Sequence, residues 1–409
     1  MSNLLTYAYK GRDGAGKLVK GKVEAPSEAA VVTRLRTMSI SPIEVSTFTG
    51  GSGLQMDLNI SFLEKKVKLK DLAVMSRQMS TMVGAGLSLL RSLTILSEQT
   101  ENKKLARALT SVRGLVETGS SLSDALARQG RIFPPIMIHL VRAGEVGGFL
   151  DQSLDSIAET FEKDVKLRQT IKSAMTYPVV VLVMALLSVV GMVTFIVPIF
   201  ENMFKSLGGQ LPLPTQILVT ISHNMIWIGP VLAVGIIAFT WWWNRHKHDE
   251  KVRARVDPWR LKVPVFGMLF RKVAIARFAR NFSTMTHSGV PILQALSIVG
   301  DTSGNWVIEN ALRKVQDSVR SGRTIAAPLA EEPVFPSMVT QMIAVGEDSG
   351  SLEQMLGKIA DFYDEEVQTT TEQLTSLIEP LMIAVIGTVI GGMIVALYMP
   401  IFTIYNNVH

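Results

Sequence analysis

Cysteine is absent from all 409 residues, so the chain has no disulfide, thiol nucleophile, cysteine-ligated zinc or iron–sulfur cluster. Charged residues are also scarce, at 19% against about 25% in ordinary soluble domains. Apolar residues make up 47% of the chain, and its mean hydropathy is +0.28. This balance argues against disorder and indicates that part of the molecule lies in lipid.

Three long stretches of the chain carry no Asp, Glu, Lys or Arg. The first lies between Lys172 and Glu201, the second between Lys205 and Arg245, and the third follows Glu379. A helix crosses the hydrocarbon core of a bilayer with about 20 apolar residues, so each stretch is long enough. The predicted transmembrane helices are residues 173–200, 216–244 and 379–402.

The distribution of Lys and Arg predicts the orientation of these spans. They collect before the first span and after the second, whereas the intervening loop, residues 201–215, has only Lys205. By the positive-inside rule the N-terminus faces the cytoplasm, and the loop and the C-terminal tail, residues 403–409, lie outside. The N-terminus has no apolar segment typical of a signal peptide. The net charge of +6 is therefore explained by the Lys and Arg residues that orient the spans in the membrane, and no nucleic-acid partner is expected.

The chain contains an internal repeat. Residues 77–96 align without a gap to residues 280–299 with eight identities in twenty, where average composition gives about one or two. The match continues through two Gly-Glu pairs and into the spans, where Pro178 aligns with Pro380. The repeated unit is therefore a cytoplasmic domain followed by a span, and the second span returns the chain to the cytoplasm. The two cytoplasmic copies are residues 67–172 and 245–378.

Apolar residues within each copy recur at helical spacing, which predicts an antiparallel bundle of five or six helices whose last helix continues towards the membrane. Residues 1–46 differ: a hairpin pattern, a helix from Ser27 to Arg36 and a strand after Pro42 predict a small α+β leader domain. A flexible linker, residues 47–66, follows it. The predicted fold is an all-α membrane protein with two repeated cytoplasmic helical bundles, three transmembrane helices and this small N-terminal domain.

Motifs for catalysis are weak. Gly11 to Leu18 approach the phosphate-binding pattern GxxxxGK[ST], but Leu18 replaces the hydroxyl that coordinates magnesium, and a strand-like run follows. His246 and His248 have a spacing seen in metal sites, although an interfacial basic cluster is the preferred interpretation. No catalytic constellation is present, so neither an enzyme nor a cofactor is expected. A transporter or channel is a remote alternative, because transport usually needs polar or ionisable groups along a path, and the spans offer none beyond hydroxyls such as Thr194 and Thr388 and the flanking His223.

Acidic residues recur at equivalent positions of the two copies. Glu159 and Glu162 align with Asp361 and Asp364, and each pair is three residues apart on one helical face. These acids are candidates for contact with a basic partner surface. A solvated helix face is the alternative.

Two further acids, Glu145 and Glu347, each follow a glycine at a turn. They are candidates for partner contact and weak candidates for a divalent cation. The alternative is an acid favoured by the dipole at a helix start. Arg77 and Arg280 are expected to pair with acids inside the bundles rather than with a partner.

Small residues and prolines suggest packing sites within the membrane. Gly387 and Gly391, with Gly392, permit close approach of another helix to the third span. Pro198 and Pro400 occupy equivalent positions in the two copies and are the other candidates.

Taken together, these motifs carry a resemblance that covers nearly the whole chain. The segments Arg-x-x-Ser-Thr-Met-x-x-x-Gly from Arg77 and Arg280, the two Gly-Glu-x-x-Gly-x-Leu turns, and the final Pro-Ile-Phe resemble the polytopic inner-membrane platform proteins of type IV pilus and type II secretion machines. The pilus branch is preferred on residues 289–293, 361–367 and 379–382. One departure from the family's pattern is Leu87-Ser88 in place of Val-Pro in the first copy.

The resemblance implies a non-enzymatic scaffold in the bacterial inner membrane, which couples a cytoplasmic hexameric ATPase to insertion or removal of pilin subunits at the base of a filament. Its implied partners are that ATPase, pilin transmembrane helices, inner-membrane alignment proteins, the lipid bilayer and further copies of itself. The equivalent platform of a type II secretion system is the alternative.

Overall fold

A computed structural model describes residues 5–12, 18–38, 40–47, 66–206, 211–247 and 249–407. The chain divides into two units, Met1–Glu64 and Lys65–His409. The predicted linker lies almost entirely outside the described residues. So do residues 13–17, in the middle of the segment that approaches the phosphate-binding pattern, together with His248 and residues 408–409 of the C-terminal tail.

The N-terminal unit is a three-stranded antiparallel sheet with one helix, as predicted. Its elements are β1 (Leu5–Arg12), β2 (Leu18–Ala25), α1 (Glu28–Thr37) and β3 (Ser41–Thr47), and the strand order is β2-β1-β3. Ser27 starts α1 by accepting a hydrogen bond from the backbone N–H of Ala30. A Cβ at Gly11 would lie 2.5 Å from Cγ2 of Ile40, so this glycine serves packing. Because β2 begins at Leu18, the turn does not lead into a helix N-terminus that could hold phosphates.

The first copy of the repeat in the larger unit consists of six helices, in agreement with the prediction. They are α2 (Leu69–Gly84), α3 (Leu89–Gln99), α4 (Lys103–Glu117), α5 (Leu122–Ala127), α6 (Pro135–Gly147) and α7 (Leu150–Gly191). A π-helical turn, Met192–Ile196, joins α7 to α8 (Val197–Ser206). Then come α9 (Leu213–His246) and α10 (Glu250–Lys262).

The second copy repeats the same six helices. They are α11 (Phe266–His287), α12 (Ile292–Thr302), α13 (Trp306–Arg320), α14 (Ala326–Ala330), α15 (Ser337–Asp348) and α16 (Leu352–Asn407). Equivalent asparagine caps start equivalent helices. Oδ1 of Asn102 accepts hydrogen bonds from two backbone N–H groups of α4, and Oδ1 of Asn305 accepts hydrogen bonds from two backbone N–H groups of α13. One continuous buried core, including Phe133, Phe278 and Phe282, runs through both copies.

Three helices of the described chain are long and apolar enough to cross a membrane: Leu150–Ser206, Leu213–His246 and Leu352–Phe402. They contain the three predicted spans. The first and third begin as walls of the two bundles, so each bundle continues into the membrane without a break. At about 1.5 Å per residue, the 42 residues of α7 alone extend about 63 Å.

The spans pack together at the end that carries the loop between α8 and α9, which we call the loop end. Val197, Val219 and Leu397 are buried against one another there. Oγ of Ser222 donates to the carbonyl oxygen of Val193 in the π-helical turn at 2.7 Å, and Oγ1 of Thr215 donates to the carbonyl oxygen of Ala396. These two bonds connect the second span to the first and the third.

We expect Ser222→Ala and Thr215→Val each to lower the melting temperature of the detergent-solubilised protein. Interhelical hydrogen bonds in membranes are worth about 0.6 kcal/mol on average. Ser188→Ala is the matched control, because Oγ of Ser188 donates to the Met184 carbonyl of its own helix. Equal melting temperatures for all three variants would contradict a role for these bonds in holding the second span.

Candidate partner-binding site

The two copies meet along α7, α11 and α16. Oγ1 of Thr160 and Oγ1 of Thr284 lie 3.1 Å apart, and Nη2 of Arg277 lies 3.0 Å from Oδ1 of Asp164. Burial lowers the pKa of Arg277, whereas the charge of Asp164 opposes that shift. Arg277 is half-buried, and a carboxylate partner offsets part of the cost of desolvating its charge. This ion pair therefore joins the copies in a fixed arrangement.

A cleft of about 690 Å³ opens beside this contact, and we call it the inter-copy cleft. Its basic residues are Lys163, Arg280 and His287. Five carboxylates outnumber them: Asp151, Asp155, Glu159, Glu353 and Asp361. The cleft is accordingly an acidic surface on the bundle side of the molecule, formed by the first turns of the two helices that continue into the membrane.

An arginine–carboxylate cluster on the α2–α7 pair supports the cleft in the first copy. Nε and Nη2 of Arg77 donate to the two oxygens of Glu162, both at 2.7 Å, and Nη1 donates to Asp155. These bonds lower the pKa of Glu162 below its ordinary value. Such two-pronged pairing is the strong geometry for an arginine and a carboxylate.

The second copy repeats this cluster on α11 and α16. Nη1 of Arg280 lies 2.9 Å from Oδ1 of Asp361, and Nη2 donates to Asp364. Burial raises the pKa of Asp364, and Arg280 opposes the rise. Both arginines thus pair with acids inside the bundles, as the repeat predicted.

The four aligned acids therefore have different surroundings. Glu162 and Asp364 hold the arginines of their own copies. Glu159 is exposed, and its one ion pair in the described part of the chain is to Lys163 of its own helix, at 2.9 Å. The exposed Asp361 lies between Arg280 and Lys163. Of the four, Glu159 has the carboxylate most available to a partner.

Glu145 and Glu347 both cap a neighbouring helix. The carboxylate of Glu145 accepts from the backbone N–H groups of Leu122 and Ser123, the first two residues of α5. The carboxylate of Glu347 accepts in the same way from Ile325, at 2.8 Å, and Ala326, at 3.2 Å, at the start of α14. Helix starts leave these N–H groups without partners, and the positive end of the dipole favours an anion there.

The glycine before each of these glutamates has its own role. A Cβ at Gly144 would lie 2.5 Å from Oγ of Ser153, and one at Gly346 would lie 2.9 Å from Cα of Leu352. The Gly-Glu pair thus brings two helices into close contact and caps a third. Among the described residues no group of three or more His, Asp or Glu side chains is placed to hold a metal ion, so the structure adds no support for a cation at Glu145 or Glu347.

The candidate packing residues in the membrane fall into two sets. A Cβ at Gly387, Gly391 or Gly392 would meet no atom within 4 Å, so this glycine face is open within the protomer. Pro400 is buried and Pro198 half-buried at the loop end, where the spans of one protomer pack together.

Several residues of the cleft were missed by sequence reasoning. Asp155 lies seven residues before Glu162, two helical turns along the same face, and that spacing could have indicated a shared arginine. Arg277, which lies beside the cleft, carried no comparable signal, because its equivalent in the first copy is the exposed Val74.

Comparison with known proteins follows the same division of the chain. The family model described as type II secretion system (T2SS), protein F matches residues 75–198 and 278–400. The model of the N-terminal domain of type II secretion system protein F matches residues 1–46. The chain belongs to this protein F family. Both longer matches start in the first helix of a copy and end at Pro198 or Pro400, in agreement with the predicted repeat.

Relatives in the protein F family match nearly end to end. The chain is similar to type IV pilus assembly protein PilC of Myxococcus xanthus, at 40% identity over 97% of this chain and 94% of the relative. PilC of Thermus thermophilus is also 40% identical, over 98% of both chains. Type II secretion system protein F of Xanthomonas campestris is 30% identical over 98% of this chain and 99% of the relative. Together with the three apolar helices, family membership makes the chain a multi-pass inner-membrane protein.

We expect Glu145→Ala and Glu347→Ala to destabilise the protein, because each leaves backbone N–H groups at a helix start without an acceptor, at a cost of about 1–3 kcal/mol. Glu159→Ala removes an exposed pair within one helix, so its effect should stay below about 0.5 kcal/mol. Thermal unfolding followed by circular dichroism compares the three variants. If Glu145→Ala melted like the parent, its capping role would be wrong and partner contact the better assignment.

Proposed function

We propose that this protein is the inner-membrane platform of a type IV pilus machine, which couples a cytoplasmic hexameric ATPase to addition or removal of pilin subunits. The observation that carries the proposal is its end-to-end similarity to proteins named for type IV pilus or fimbrial assembly, at 32–40% identity against 30–31% for the secretion proteins F. The platform of a type II secretion system is the second candidate. The protein acts as a scaffold rather than as an enzyme.

The proposed orientation places both bundles in the cytoplasm, and the loop end and C-terminus outside. Lys163, Lys166 and Arg168 precede the first span, and Arg245 and Lys247 follow the second. The positive-inside rule favours this arrangement. The inter-copy cleft then faces the compartment that contains the ATPase.

The ATPase would bind at the inter-copy cleft through a basic surface. Asp151 and Glu159 are exposed there, and among the described residues neither is paired with an arginine of the bundle. Complementary charge of this kind speeds the encounter of two proteins and sets their orientation. Pilin helices, alignment proteins and further copies would contact other surfaces, among them the open face of Gly387 and Gly391.

Continuous helices provide the mechanical connection. The cleft is formed by the first turns of α7 and α16, and the same two helices cross the membrane. Pro178 and Pro380 lie inside these helices where the charged segments end, and a proline there removes one backbone hydrogen bond and permits a bend. Movement of the cleft by the ATPase would therefore tilt the first and third spans against pilin.

We expect Asp151→Lys/Glu159→Lys to weaken ATPase binding about tenfold at low salt, because the approaching basic surface now meets two cations. Glu98→Lys/Glu101→Lys is the matched control, since it makes the same charge change at exposed positions outside the cleft. Binding of purified ATPase to full-length protein in nanodiscs measures both. Parent-like affinity in the cleft variant would remove the cleft from the proposal without affecting the pilus assignment.

The absence of native cysteine permits a direct test of orientation. In intact cells a membrane-impermeant maleimide should label Ser206→Cys, whereas Gln99→Cys should react only after lysis. Both side chains are exposed, so accessibility within the fold does not bias the comparison. The reverse pattern would refute the orientation.

Deletion of the gene distinguishes the two candidate machines. For a pilus platform, the deletion strain should lose its surface filaments and keep protein secretion. In the parent strain, pilin should be recovered with the protein purified from membranes. Loss of secretion with normal pili would favour the second candidate.

A further inference from the structure

Helix α10 is held near the membrane at both ends. Its first residue follows the end of α9 by four residues, a reach of at most about 14 Å. Beyond its other end, Phe266 and Leu269 of α11 pack with Ile171 and Leu374. Those two residues lie just before the uncharged parts of α7 and α16. The roughly 20 Å of α10 therefore runs at the level where the spans enter the bilayer.

One face of α10 is attached to the second copy. Oδ2 of the buried Asp257 accepts from the backbone N–H of Trp306, at the start of α13, at 2.8 Å. Nη2 of Arg253 lies 2.9 Å from Oε2 of Glu309 on the same helix. This face is thus occupied by partners of the protein itself.

The opposite face carries Lys251, Arg255, Trp259 and Lys262, which we call the basic stripe. All four are exposed. Their spacing of four, four and three residues places them within about 80° of arc, on the side of α10 away from Asp257. None of the ion pairs found in the described part of the chain involves the three cations.

Apolar groups accompany the basic stripe. Trp259 is 69% exposed, and the adjoining Val265 and Met268 are 52% and 63% exposed. Arg260 has its own partner, since its guanidinium lies 4.7 Å from the ring centre of Phe270. Tryptophan is enriched at the headgroup level of membranes, and lysine and arginine near an anionic bilayer surface are attracted to it.

We propose that the basic stripe binds the phosphates of anionic phospholipids, with Trp259 at headgroup level. Continuity with the second span and complementary charge favour lipid over a soluble acidic partner. The contact would set the height of the second copy above the membrane. It depends only on the spans lying in a bilayer, and neither on their orientation nor on the pilus assignment.

The test uses full-length protein in nanodiscs, with a fluorophore on Met268→Cys, the single cysteine of that variant. Nitroxide on the lipid headgroups quenches the fluorophore when α10 is docked. Quenching should be stronger in discs that contain phosphatidylglycerol than in discs of phosphatidylcholine alone. Each cation near an anionic surface strengthens attachment about fivefold, so Lys251→Gln/Arg255→Gln/Lys262→Gln should abolish this difference.

Lys103→Gln/Lys104→Gln/Arg128→Gln is the control, because it removes the same charge from exposed positions of the first copy. It should quench like the parent, and unchanged melting temperatures would exclude unfolding as the cause in either variant. Equal quenching of the unmodified stripe in both lipids would overturn the proposal, as would identical behaviour of the two triple variants. The comparison of lipids needs no change in the stripe and therefore stands even if a variant fails to fold.

Discussion

The structure depends on two helices that belong to a bundle and to the membrane at once. A helix satisfies its backbone hydrogen bonds internally, so α7 and α16 pass from water into lipid without exposing unpaired groups. Only their side chains change, from one apolar face against a bundle to apolar residues on all sides. The position of each bundle above the membrane therefore follows from the direction of its last helix.

Duplication supplies two bundles with the same internal supports. Each has an asparagine cap, a Gly-Glu pair and an arginine held by acids on the long helix. The interface between the copies lies outside these internal supports and joins α7 of the first copy to α16 and α11 of the second. Arg277 and Asp164 meet there, and the inter-copy cleft forms beside them. Arg277 has no charged equivalent in the first copy, where Val74 occupies its position.

The second span has a different position from the other two. It begins no bundle, contacts its neighbours at the loop end, and leads into α10. Most of its apolar surface is exposed within the protomer and meets lipid or another protein. Through α10 the second span is connected to α11 and α13 of the second copy.

The sequence by itself determined the spans, the two copies and the small leader domain, because charge depletion, repetition and periodicity are local properties of a chain. It also indicated that Arg77 and Arg280 pair with acids, since the same residue types recur at equivalent positions. Only the tertiary structure decided that Glu145 and Glu347 cap helices, and that Glu159 remains on a cleft while Glu162 holds an arginine. Those roles depend on side chains brought together from helices far apart in sequence, and helical spacing does not specify which neighbour a face will contact.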